Sequence, residues 1–166
     1  MERTMQIVVG SVINWFHMVA VVAWIGGMFT NMLVLMPAIK ATLEPPVAGK
    51  LMGAYMKKFR VVIYASIVIL WLTGMLMTRV NGQYQGPIRL ENLWSIAVFA
   101  KHVLSLLLTV LAIYAFEVMA PKVGKLAAQG PSPQLAALQK KQMGLAFFGF
   151  IIGLAILCTT SVMLVA

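Results

Sequence analysis

The sequence predicts an all-α integral membrane protein: a four-transmembrane-helix bundle with both termini on the outer side (N-out/C-out). Three observations predict this class. The 166 residues are 61% hydrophobic and only 10% charged, with a mean hydropathy of +0.93. Four apolar runs each reach the roughly 20 residues that a helix needs to cross a bilayer. None of the runs alternates between apolar and polar residues as a barrel strand does, so we expect helices.

The four runs make a single transmembrane domain over residues 1–166. The predicted spans cover about residues 7–36, 61–80, 93–119 and 143–165. We expect residues 47–60 to form a helical lead-in to the second span and residues 81–92 to form a turn-rich loop. Ser132 as N-cap and Pro133 at the first helical position should start the fourth helix well before the membrane.

The distribution of positive charge predicts the topology. Residues 37–60 contain five lysines and arginines, and residues 120–142 contain four lysines. By the positive-inside rule both connections are cytoplasmic, which leaves the termini and the 81–92 loop outside. The net charge of +9 therefore reports topology, and without a basic, aromatic-interleaved patch we expect the lipid bilayer and no nucleic acid as partner. A prokaryotic inner membrane is the expected location.

Several kinds of chemistry lack the residues they need. The single cysteine, Cys158, lies inside the last apolar run, so an intrachain disulfide is impossible and a zinc or iron–sulfur site lacks ligands. The sequence offers no Ser/His/Asp set, no paired carboxylates and no phosphate-binding loop. Hydrolytic and phosphoryl-transfer reactions are therefore not expected.

The first apolar run carries polar residues at helical spacing. His17, Trp24 and Asn31 lie seven residues apart and share one face of a helix, and Asn14 lies one turn before His17. A face that contacts only lipid has no use for this pattern. We therefore predict that it forms the inward wall of a site.

His17 and His102 are the candidate ligands of a heme b. Both lie about eight to ten residues into parallel spans, so they can reach similar depths in the outer half of the membrane. Each would bind the iron through a neutral ring nitrogen. Gly27, together with Ala20, Ala23 and Gly26, would leave room for the macrocycle. The alternative for each histidine is a hydrogen bond to neighbouring backbone.

Charged residues near the two histidines allow several roles. Arg79 and Arg89 are outer-side candidates for binding the heme propionates. On a helix the side chains of Lys101 and His102 point about 100° apart, so they cannot both reach the same iron equally well. Lys101 could replace His102 as second iron ligand when deprotonated, pair with a propionate, or extend to the outer surface.

Copper handling is an alternative to heme. Met28, Met32 and Met36 recur every four residues on the first helix, and thioethers suit Cu(I). Methionine is also a good packing residue, and the chain contains thirteen of them.

Several short motifs resemble two related families. His17-x6-Trp24-x-Gly26-Gly27, followed by residues 34–38 (VLMPA), is similar to the opening helix of CopD-type copper-resistance membrane proteins. Residues 57–60 (KKFR) with 72–74 (LTG), and residues 94–101, resemble their second and third helices. The same frame resembles HemJ-type protoporphyrinogen oxidases. That resemblance implies a heme b associated with a histidine and a lysine, at the positions of His17 and Lys101.

Together these observations predict a heme b-binding membrane protein with an electron-transfer role, the heme being held between the first and third spans. The alternatives are a membrane oxidase of a porphyrinogen-like donor, similar to HemJ, and a CopD-like copper transporter. If the protein is an enzyme, we expect a heme-dependent oxidoreductase. The small size favours a homo-oligomer or a subunit of a membrane complex, and the sequence does not identify the redox partner.

Overall fold

The computed structural model describes residues 2–81, 86 and 90–166, with side chains from Thr4 onward. This part of the chain is helical and contains no strand. Its four long apolar helices are candidate membrane spans: α1 (Thr4–Thr42), α2 (Pro45–Val80), α3 (Leu93–Ala128) and α4 (Pro133–Val165). At 1.5 Å per residue each is about 50–58 Å long, so each extends well beyond the roughly 30 Å hydrocarbon core.

Two of the helices contain wider, π-helical turns. The α-helical stretches are Glu2–Val21, Gly27–Thr30 and Met36–Thr42 in α1, Pro45–Val80 in α2, Leu93–Ile113 and Ala120–Ala128 in α3, and Pro133–Val165 in α4. The π turns are Val22–Gly26 and Asn31–Leu35 in α1 and Tyr114–Met119 in α3. The last two end two residues before Pro37 and Pro121, which cannot donate to the preceding turn. The turn at Val22–Gly26 has no such proline.

The sequence prediction of four spans is confirmed, and the helices are longer than the apolar runs. α2 already begins at Pro45, which includes the predicted lead-in of residues 47–60. α4 begins at Pro133, and the Ser132 hydroxyl accepts a hydrogen bond from the backbone N–H of Leu135 at 3.1 Å. α1 and α3 continue into the predicted connections, to Thr42 and Ala128. Most of the predicted 81–92 loop lies outside the described residues.

The bundle consists of two packed helix pairs. α1 packs mainly on α2, and α3 packs mainly on α4, whereas α2 and α3 meet at few points. Residues from all four helices meet in one hydrophobic core: Trp24, Ile63, Leu108, Phe116, Ile152 and Ile156. Gly149 of α4 lets Met28 of α1 approach closely, because an added Cβ would lie 3.4 Å from the Met28 Cε atom.

The contacts between α2 and α3 are polar and aromatic. Trp71 Nε1 donates to Thr109 Oγ1 at 3.2 Å, and the Tyr64 hydroxyl donates to Glu117 Oε1 at 2.5 Å. Because α2 and α3 meet at few points, open space remains on both sides of these contacts. A cavity lies toward the end of the bundle where α2 ends and α3 begins. A surface groove lies toward the opposite end, which we call the cation-rich end because the lysines and arginines of residues 37–60 and 120–142 lie there.

Candidate functional site

A cavity of about 370 Å³ lies between the four helices. His17 and Trp24 of α1, and Lys101 and His102 of α3, all line it. The fold thus brings together four of the residues that the sequence singles out. Most of the remaining wall is apolar, including Leu108, so the cavity has the character of a small-molecule site with a few polar groups.

His17 is buried, with 8% of its surface exposed, and its hydrogen bond defines its tautomer. The Nδ1 atom lies 2.8 Å from the hydroxyl oxygen of Thr73 on α2. That hydroxyl donates its only hydrogen to the carbonyl of Ile69, at 2.6 Å. Thr73 must therefore accept from His17, so His17 carries its proton on Nδ1. In the neutral ring this leaves the lone pair on Nε2 available.

His102 has the same tautomer for a different reason. Its Nδ1 atom lies 2.7 Å from the carbonyl oxygen of Val98, one turn earlier on α3. A carbonyl can only accept, so Nδ1 must donate, and Nε2 of the neutral ring again carries the lone pair. Metal-binding histidines in proteins almost always show this arrangement, with the distal ring N–H held by an acceptor.

The two imidazoles lie at similar heights in the bundle. His17 contacts Thr73, and the His102 ring lies 6.1 Å from the Trp71 ring, measured between centroids. Thr73 and Trp71 are two residues apart on α2, which is about 3 Å along the helix axis. Contacts to a shared helix therefore place the histidines at matched depths, as their positions in the spans predict.

Lys101 lines the same cavity and is half-buried. It neighbours His102 in sequence, so the side chains of the two residues leave α3 about 100° apart. The structure brings both residues to the cavity, and the assignment of either one as an iron ligand stays a prediction.

Trp24 lies in the π turn Val22–Gly26 and is 5% exposed. It belongs both to the cavity wall and to the hydrophobic core. π turns are rare in proteins, and many of those that occur lie at functional sites. Because no proline explains this turn, we associate it with the placement of Trp24 beside the cavity.

Two of the predicted residues of α1 lie away from the cavity. Asn14 is exposed and does not contribute to the wall. At Gly27 the space expected for a macrocycle is filled by Phe59 of α2, because an added Cβ would lie only 2.7 Å from the Phe59 Cε2 atom. Gly27 therefore serves the close packing of α1 on α2.

Of the two arginines predicted to bind propionates, the structure describes only Arg79. Arg79 is exposed in the last turn of α2, between Thr78 and Asn81, and these two neighbours line the cavity. The Arg79 side chain itself does not line it. Arg89 lies outside the described residues.

The structure adds three residues of α2 that the sequence did not single out as site residues. Thr73 orients His17, Trp71 lies beside His102, and Gly74 lines the cavity with its backbone. An added Cβ at Gly74 would lie 3.5 Å from the Cε1 atom of His17, so the glycine keeps space beside the imidazole. The sequence feature that could have identified this part of the site is the Thr73-Gly74 pair inside the apolar run of α2.

The methionines of the copper alternative are all partly buried. Met28 packs against the hydrophobic core, and Met32 and Met36 are half-buried. Among the described residues, no group of three or more His, Cys, Asp or Glu side chains could hold a metal ion. A site made of two histidines and a porphyrin is not such a group.

The chain matches a known family of protein domains. Residues 19–132 match a domain of unknown function, DUF4149. The chain belongs to the DUF4149 family. No curated protein and no solved structure matches this chain. The DUF4149 segment contains Thr73, Lys101 and His102, and it ends at Ser132, the N-cap of α4. His17 lies two residues before the DUF4149 segment.

Proposed function

We propose that the protein is a membrane redox protein that binds heme b in the cavity between α1 and α3. His17 and His102 would hold its iron. The proposal rests on one observation: the imidazole rings of His17 and His102 have the same tautomer. In each, Nδ1–H is bound to an acceptor and Nε2 carries the lone pair, at similar heights in one cavity.

The residues of the cavity fit such a group. The volume of about 370 Å³ lies toward the lower end of the range of small-molecule sites, roughly 300–1,000 Å³, so the cavity would enclose part of a heme and the helix pairs would have to separate further to hold the rest. The wall is mostly apolar, as a macrocycle requires. A bound heme would supply one-electron transfer at its iron, with a potential that depends on ligand identity and burial.

The chain's own residues would orient the ligands and exclude water. Thr73 and the Val98 carbonyl fix the tautomers of His17 and His102. Trp24 and Leu108, which are 5% and 3% exposed, close the cavity on the core side. The resemblance to HemJ-type proteins supports a heme ligand at His17, because it assigns a heme-associated histidine to that position; its second heme-associated residue falls on Lys101.

An absorption spectrum of the detergent-purified protein, oxidised and then reduced with dithionite, tests the proposal. We expect a sharp reduced α-band of the b type and close to one heme per chain by pyridine hemochrome. His17→Ala should abolish heme retention, whereas Met32→Leu should preserve it. A colourless protein after expression with ample heme would refute the proposal and favour copper transport. Stoichiometric heme in the His17→Ala variant would refute the assignment of His17 as an iron ligand.

The second ligand is identified by two separate substitutions. His102→Ala should convert the iron from six-coordinate low-spin to high-spin, which absorption and electron paramagnetic resonance spectra detect. Lys101→Met should leave the iron low-spin. The opposite pair of results would assign the ligand role to Lys101, as the HemJ resemblance implies.

A second candidate function is oxidation of a porphyrinogen-like donor. Thr160 and Ser161 of α4 line the same cavity, so hydroxyl groups are present where a polar donor could bind beside the heme. Turnover of a porphyrinogen by the purified protein, with wild-type heme content, distinguishes this candidate from a simple electron carrier.

A further inference from the structure

A surface groove lies at the cation-rich end of the bundle, away from the cavity. Its volume is about 600 Å³, and it runs along the exposed face of α2 beside α3. Arg60, Tyr64 and Glu117 form its polar end. Ala65 and Val68 are among the residues that line its apolar part. The groove therefore has a charged end and a hydrocarbon-like end.

The length and position of the groove match one leaflet of a bilayer. Arg60 and Ile69, the first and last residues of α2 in the groove, are nine residues apart, or about 13 Å along the helix. Half of the hydrocarbon core is about 15 Å thick. Arg60 is also the last charged residue before the apolar run of α2 begins at Val61. The polar end thus lies where lipid headgroups meet the hydrocarbon, and the apolar part lies beside acyl chains.

The polar end presents one positive and one negative group side by side. Arg60 Nη1 lies 3.4 Å from Glu117 Oε1, and each side chain is 47% exposed, so both are accessible from the membrane. Tyr64 also donates to Glu117 Oε1, so both contacts fall on the same carboxylate oxygen. A guanidinium has further N–H donors, and the second carboxylate oxygen is a further acceptor.

We propose that this groove binds an aminophospholipid from the surrounding bilayer. Arg60 would bind the lipid phosphate, Glu117 would accept from the primary ammonium, and one acyl chain would lie along Val68. The paired charges select this headgroup, because an anionic headgroup without an amine would meet the Glu117 carboxylate unfavourably. A choline headgroup has no N–H to donate. The site is separate from the cavity and does not depend on heme.

Native mass spectrometry of the full chain, released from detergent with defined lipids of identical acyl chains, tests the proposal. Phosphatidylethanolamine should be retained about tenfold more than phosphatidylcholine or phosphatidylglycerol, the ratio expected for one charge-assisted hydrogen bond. Glu117→Gln should abolish this preference. Arg60→Gln should weaken retention of all three phospholipids, because each contains a phosphate.

Matched controls come from the same end of the bundle. Glu44→Gln and Lys140→Gln remove charges outside the groove, so both variants should keep the tenfold preference. Equal retention of the three lipids by the wild type would overturn the proposal, as would an unchanged preference in Glu117→Gln. Helix content and melting temperature should verify that each variant is folded.

A second measurement distinguishes lipid from a second copy of the chain in the groove. In a Cys158→Ser background, Val68→Cys places a single thiol in the apolar part. Protection of this thiol from a membrane-soluble maleimide by phosphatidylethanolamine, without crosslinking between chains, would support the lipid. Efficient oxidative crosslinking of two chains in phosphatidylethanolamine-containing vesicles would overturn the proposal and assign the groove to self-association.

Discussion

The hydrogen bond between His17 and Thr73 is the most specific feature of the cavity, and Thr73→Val tests what it does. Valine replaces the hydroxyl with a methyl group of similar size, so the packing changes little. The His17 Nδ1–H loses an acceptor 2.8 Å away, in a site where His17 and Thr73 are 8% and 9% exposed. Water cannot easily replace the acceptor. We expect the free energy of unfolding to fall by about 1 kcal/mol.

The effect on heme should be larger than the effect on stability. Partners that orient a metal-binding histidine typically contribute 10–100-fold in affinity, so heme binding by Thr73→Val should weaken at least about tenfold. The hydrogen bond also increases electron density on the His17 ring, which favours ferric iron. Its removal should raise the midpoint potential by about 20–50 mV, since about 59 mV corresponds to 1.4 kcal/mol for one electron. Hemin titration and a redox titration measure the two quantities.

Two control variants separate the hydrogen bond from packing. Thr73→Ser retains the hydroxyl and should keep both the affinity and the potential close to wild type. Ser66→Ala removes a buried hydroxyl of α2 that does not line the cavity, and should leave both unchanged. Heme affinity within twofold of wild type in Thr73→Val, together with an unshifted potential, would refute the assignment of His17 as an oriented ligand.

Substitutions at three glycines give further predictions. Gly27→Ala should lower the free energy of unfolding by about 1–3 kcal/mol, because its Cβ would lie 2.7 Å from Phe59. Gly53→Ala, where nothing lies within 4 Å, should instead raise it by about 0.5–1 kcal/mol; chemical denaturation in detergent measures both. Gly74→Leu should prevent heme retention in a folded protein, because its side chain would occupy the space beside His17, whereas Gly74→Ala should retain heme. Heme content at wild-type level in Gly74→Leu would contradict this placement.

The helices could be predicted from the sequence because each depends on local signals. A long apolar run has no stable alternative to a helix in lipid, and Ser132 with Pro133 specifies the start of α4 without any tertiary contact. The positions of the helix ends depend on more than the apolar runs. α1 and α3 continue through Pro37 and Pro121, because a π turn before each proline accommodates the missing N–H.

The expected stripe of α1 is found in part: His17 and Trp24 line the cavity, whereas Asn31 does not. His17, Trp24 and Asn31 share a face only if the helix keeps 3.6 residues per turn. The π turn at Val22–Gly26 adds a residue and rotates the later part of the helix by about 100°. Asn31 also lies seven residues beyond Trp24, about 10 Å farther along the helix axis, and does not line the cavity. Its Oδ1 atom is buried without a hydrogen-bond partner in the described part of the chain. Thr73 escaped prediction because its role depends on a partner 56 residues away.

The cavity itself predicts a coupling between cofactor and stability. α1 with α2, and α3 with α4, form the closely packed pairs, whereas the space between the pairs holds an apolar cavity of about 370 Å³. Walls without partner atoms forgo dispersion contacts, so a ligand that fills the cavity should stabilise the bundle. Heme at 100 times its Kd should add about 2.7 kcal/mol and raise Tm by about 5–10 °C. Thermal melts of wild type and His17→Ala with added heme measure the difference. An equal rise in both would show that heme acts by dissolving in the detergent micelle, and would refute binding at His17.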